Sequence, residues 1–118
     1  MGIEKHEQLR QRTKRFALRV IRLSQALPQR READVIARQV LRSGTAVAAN
    51  YRAAGRARSR AGFIAKLGVV VEEADETVFW LEMLEESGLV AAAKLADLHK
   101  EAEELLLIFS ASRRTARE

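Results

Sequence analysis

Cysteine is missing altogether from this chain, and with it any disulfide framework, thiolate zinc site or cysteine nucleophile. That fits a reducing cytoplasm. A single proline and six glycines leave little to break long helices, and aromatic residues make up only 5%. No run approaches the roughly 18 apolar residues that a membrane helix needs. The polar opening MGIEKHEQLRQRTKR also lacks the apolar centre of a secretory signal. Met1-Gly2 does not amount to a myristoylation signal, because Lys5 and His6 stand where a small hydroxyl residue is wanted. The expectation is a soluble cytoplasmic protein without a membrane contact.

What is present is 47% hydrophobic and 31% charged residues in 118, too apolar for a disordered chain and enough for one domain and one core. All-α is the expected class. The net charge of +5 hides an asymmetry: residues 1–60 hold 15 basic against 4 acidic side chains, residues 61–118 hold 6 against 12. In a bundle the basic half lies against the acidic half, so part of the basic charge is answered within the chain or between subunits.

The hydrophobic spacing predicts four amphipathic helices, over about 7–26, 33–54, 60–87 and 91–113, forming a single domain over 1–118. Leu9, Thr13, Phe16, Val20, Leu23 and Leu27 keep a 4,3,4,3,4 rhythm that places them on one face, and Pro28 stops the helix. Val35, Ile36, Val40, Val47 and Tyr51 form the apolar side of the second helix. In its stretch Ser43-Gly44-Thr45-Ala46, small side chains let a neighbour come close. Phe63, Leu67, Val70, Ala74, Thr77, Leu81 and Leu84 mark the third, and Leu95, Leu98, Ala102, Leu105 and Phe109 the fourth. Between the middle helices lies Gly55-Arg56-Ala57-Arg58-Ser59-Arg60. Gly55 suits the left-handed position past a helix end and Ser59 suits an N-cap. The Leu105 to Phe109 run is apolar at five successive positions, so part of it must face something other than one neighbouring helix. Ser110 to Glu118 is polar and expected to fray.

Asn50 falls among apolar positions, where an amide must be paired; Glu73 or Glu76 on the facing helix are the expected partners, direct ligand contact being the other reading. The carboxylates Glu72, Glu73, Asp75 and Glu76 invite a metal hypothesis, yet a di-iron bundle needs Glu-x-x-His on two helices and this chain has none. Pairing with Arg38, Arg42 or Arg52 accounts for them better, and no metal or other cofactor is expected. Trp80 sits at the edge of the core, as a packing residue, an exposed platform or, with Phe79, the cover of a subunit interface. The stripe Arg12, Lys14, Arg15, Arg19 and Arg22 reads as a solvated face, a phosphate-facing face or a partner face.

The run Asn50-Tyr51-Arg52-Ala53-Ala54-Gly55, followed by Arg58-Ser59, Phe63, Lys66-Leu67, Glu73, Asp75-Glu76 and Trp80-Leu81, resembles the four-helix-bundle family of proteins encoded in 23S rRNA intervening sequences. The accessory variability determinants of diversity-generating retroelements resemble the same family. The likeness covers roughly residues 16–109. It implies an antiparallel up-and-down four-helix bundle assembled as a homopentameric ring, and an association with RNA. Two positions depart from the family pattern: Ala54 and Gly62 stand where many members have glutamate, and Gly62 removes the returning arm of a capping box.

No phosphate loop, nucleophile elbow or Ser/His/acid set is present, so an enzyme is not expected. The leading expectation is a non-catalytic protein that binds the backbone of RNA or DNA. Its candidate contacts are Arg52, Arg56, Arg58 and Arg60 at the turn, with Lys14, Arg15 and Arg22 on the first helix. The alternative is an assembly module docking an acidic or polymerase-like protein partner.

Overall fold

A computed structural model describes residues 2–118. Four helices, α1 (Ile3–Ala26), α2 (Arg31–Gly55), α3 (Arg60–Glu86) and α4 (Ala92–Arg117), run up and down in a body of 44 × 22 × 21 Å. Each helix packs on the next, and α4 closes back on α1 through a lighter contact. Short connections permit nothing but antiparallel neighbours. As a result α1 begins, α2 ends, α3 begins and α4 ends at the same pole of the bundle.

The seam is built from the residues that the spacing selects. Phe16, Val20, Val40, Val47, Leu67, Val70, Leu81, Leu84, Leu95, Leu105 and Phe109 are all almost fully buried. Val35 is the exception on α2: it is 47% exposed, because the buried face runs through Ala33, Ile36 and Val40, three and four residues apart, and Val35 falls beside it. Gly44 admits Val20 of α1, since a Cβ there would lie 2.8 Å from both Val20 methyl carbons. Two hydroxyl side chains on facing helices are buried together: Thr77 Oγ1 lies 3.0 Å from Ser43 Oγ.

The helix ends differ from expectation in ways the local contacts explain. Helix α1 starts at Ile3, not Glu7, since Gly2 caps it and the His6 amide donates to Gly2 O. Helix α2 starts at Arg31, two residues before Ala33, with Glu32 and Asp34 in its positive first turn. Gly55 is the last residue of α2 and does not take a left-handed φ; the backbone turns at Arg56 instead. Its small size serves another end. The His6 ring occupies the space, and a Cβ on Gly55 would sit 2.3 Å from His6 Nε2. The left-handed glycine is Gly88 (φ 79°), after which the Val90 amide returns to Leu84 O. Helix α4 runs on to Arg117, past the expected end near residue 113, because Arg60 binds its last carbonyls.

Candidate nucleic-acid interface

The shared pole gathers basic side chains from three helices. Residues 52–66 contain five basic and no acidic residues, and α4 brings Arg113, Arg114 and Arg117 to the same end. Ser59 fixes the turn: its Oγ accepts from the Gly62 amide at 3.0 Å, so α3 begins firmly without a returning glutamate. Arg52, Arg56 and Arg58 are exposed, and among the described residues none of them enters an ion pair.

Arg60 behaves differently from its three neighbours. Its Nε donates to Ala116 O at 2.9 Å and its Nη2 to Glu118 O at 3.1 Å, bracing α4 against the start of α3. Its charge remains at the pole, but part of its donor set is already engaged in bracing the two helices.

The remaining candidates divide by position. Lys14 and Arg52 line one groove between α1 and α2, about 300 Å³ in volume, floored by Thr45, Ala48 and Ala49. Arg10 joins its rim, but its guanidinium is held by both carboxylate oxygens of Glu7 at 2.8 and 2.9 Å. The same contact holds the Glu7 carboxyl down at about 2, through the hydrogen bonds from Arg10 and then Gln11. Arg15 and Arg22 follow the exposed outer face of α1. Arg22 lies about 12 Å beyond Lys14 along the helix axis, away from the pole, so it does not join the cluster.

Carboxylates of the acidic half are engaged inside the bundle. Arg12 spans α1 to α4 and holds Glu101 through two bonds of 2.7 and 2.8 Å, which removes it from the solvated stripe. Arg42 bridges α2 to α3, binding Glu73 at 3.2 Å and also Glu76. Glu76 further accepts from Trp80 Nε1 at 3.1 Å, and this indole donor followed by Arg42 lowers its carboxyl below the ordinary range. Trp80 is therefore a half-buried edge residue with its polar tip satisfied.

A family model matches residues 5–111, nearly the whole described chain. The chain belongs to the 23S rRNA-intervening sequence protein family. It is also similar to a crystal structure of a protein with unknown function from the S23 ribosomal protein family of Bacteroides thetaiotaomicron. The two are 31% identical, with a TM-score of 0.86, over 93% of this chain and 98% of that one. No curated protein matches.

Within this family member, the expected partners of Asn50 are corrected. Its Nδ2 donates to Ala46 O, one turn back on its own helix, at 2.9 Å. The register that sets Ser43 against Thr77 explains why. Seven residues on along α2 is seven residues back along antiparallel α3, so Asn50 stands level with Val70, below Glu73 and Glu76, and its short amide bonds within its own helix while the longer Arg42 reaches both carboxylates. Of the three arginines proposed for those carboxylates, Arg42 alone takes the role among the described residues. Ala54, where a family glutamate was expected, is buried, so no carboxylate stands beside the turn there. Among the described residues, no group of three or more His, Asp or Glu side chains is arranged to hold a metal ion. No helix is long and apolar enough to cross a membrane.

Two contacts at this pole escaped the sequence reading. The His6 and Tyr51 rings lie with centroids 5.0 Å apart and planes tilted by 40°, with a 2.9 Å contact from Tyr51 Oη to His6 Nδ1. Burial pushes the Tyr51 hydroxyl up to about 12. The other is the arginine trio of α4, hidden in a tail that composition alone marks as loose.

Proposed function

We propose that this protein is a non-catalytic, self-assembling bundle that binds nucleic acid through its basic pole. The observation that carries this reading is the contrast between two sets of arginines. Arg12 and Arg42 hold carboxylates between helices, whereas Arg52, Arg56 and Arg58 stand exposed and outside every ion pair described. Unpaired guanidinium groups at one end of a rigid body suit a phosphate backbone. Membership of a family described by 23S rRNA intervening sequences favours RNA as the polymer. With aromatic residues at 5%, base stacking contributes little, so recognition is by shape and charge.

Self-assembly is supported by apolar residues that the protomer leaves uncovered. Leu107 is 70% exposed and Phe79 48%, with Leu18 and Val35 also exposed. The family resemblance suggests a homopentameric ring. Five poles side by side would repeat the arginine contacts, and weak phosphate contacts would add through multivalency. The same apolar residues favour the second reading, an assembly module docking a protein partner with no nucleic-acid contact.

The test is a salt titration of RNA and duplex DNA binding beside sedimentation analysis. Binding that weakens steeply with salt, and is lost when Arg52, Arg56 and Arg58 become Ala, supports the first reading. No binding at low salt, or binding indifferent to these substitutions, rejects it. A monodisperse monomer would reject the assembly.

A further inference from the structure

We propose that the cleft between α3 and the last turns of α4 is a phosphoryl-group binding site. Val71, Ser110, Arg113, Arg114, Arg117 and Glu118 line it, and its volume is about 540 Å³. Three arginines thus line one cavity, and among the described residues none of them enters an ion pair. Elsewhere in the protomer Arg10, Arg12 and Arg42 each hold a carboxylate. The cleft collects three cations beside a single acidic side chain, Glu118.

Arg113 shows that the arrangement is built. Its guanidinium lies against the backbone of α3 at Gly68: a Cβ there would come within 3.0 Å of Nε and 3.2 Å of Cζ and Nη2. Glycine inside a helix is unfavourable relative to alanine. The Arg113 Nε is also shut off from solvent with no acceptor. Such an orphaned donor is unfavourable, because it has given up water without gaining an acceptor. A leucine would fill the same space without an orphaned donor. What arginine alone supplies is a planar, permanently charged set of donors held in one orientation, which loses little further freedom when an oxyanion arrives.

The end of α4 would ordinarily repel an anion, because its last carbonyls carry the negative end of the helix dipole. Arg60 offsets this by donating to Ala116 O and Glu118 O, and it also holds the turn that carries Arg114 and Arg117. Three arginines against the one acidic side chain of Glu118 leave an excess of positive charge, which favours a phosphoryl group over a single carboxylate. Two sources share that chemistry: a phosphodiester of a bound polynucleotide, or a free phosphate. The site itself stands apart from the nucleic-acid reading; the first source rests on it.

The experiment titrates the full chain with inorganic phosphate and follows the Gly68 amide and the Arg113 Nε–H by heteronuclear NMR. Saturable shifts at both, abolished in R114Q/R117Q with the helix content unchanged, are expected. A parallel arm measures binding of a labelled single-stranded RNA. If R114Q/R117Q weakens it about tenfold and lowers the salt slope by about two, the polynucleotide is the source. If RNA binding is unchanged, or absent even in the parent, while the phosphate shifts saturate, the site stands with free phosphate as its ligand. Shifts that fail to saturate, or that persist in R114Q/R117Q, overturn the proposal, whatever the turn arginines do with RNA.

Discussion

Thr77 and Ser43 place their hydroxyl oxygens 3.0 Å apart inside the seam, both fully buried, and so tie α3 to α2. Each also reaches back along its own helix, Thr77 to Glu73 O at 2.7 Å and Ser43 to Gln39 O at 2.9 Å. Two hydroxyls own two protons, and one must lie between the oxygens for the contact to attract. Thr77→Val and Ser43→Ala should each destabilise by about 1–2 kcal/mol, since each leaves a buried polar group less satisfied. The double variant should lose less than the sum, with a coupling of about 0.5–1.5 kcal/mol in urea unfolding.

Gly55 and His6 make a second pair whose effects depend on each other. A methyl group at position 55 meets the His6 ring, which is already fixed on Tyr51. Gly55→Ala should therefore destabilise by about 1 kcal/mol through loss of the His6–Tyr51 contact. In a His6→Ala background the same change should be neutral, or stabilising by up to about 1 kcal/mol as helix propensity takes over. Chemical denaturation of the four proteins reads the reversal.

Acid should weaken the α2–α3 seam. Trp80 and Arg42 depress the Glu76 carboxyl, so the folded state holds this proton less tightly than the unfolded chain. The resulting stability is present above the ordinary carboxylate value of 4.5 and fades as pH falls below it, through the depressed folded value. Melting temperature measured against pH should fall on that side, with a shallower fall in Glu76→Gln.

The α1–α4 seam depends heavily on Arg12, which pairs with Glu101 and, at 3.7 Å, with Glu104, because these two helices meet lightly. Glu101 is mostly buried and held by two bonds from Arg12. Arg12→Ala strands that carboxylate and should destabilise by about 1.5–3 kcal/mol, more than an exposed pair such as Arg10–Glu7. Amide hydrogen exchange should quicken in α1 and α4 before α2 and α3.

The sequence alone determined the number, order and buried faces of the helices, because helical periodicity is local and a chain with one proline has few places to stop. Ser59 as a cap and Pro28 as a stop were legible for the same reason: both act on residues within a few positions. What only the tertiary structure decided was which charges meet. Arg42 rather than Asn50 faces Glu73 and Glu76 because antiparallel register sets the partners, and one turn of slip changes them. Arg60, Arg113 and the small residues Gly55 and Gly68 acquired their roles the same way. Their partners lie far away in the chain, and folding alone sets them side by side.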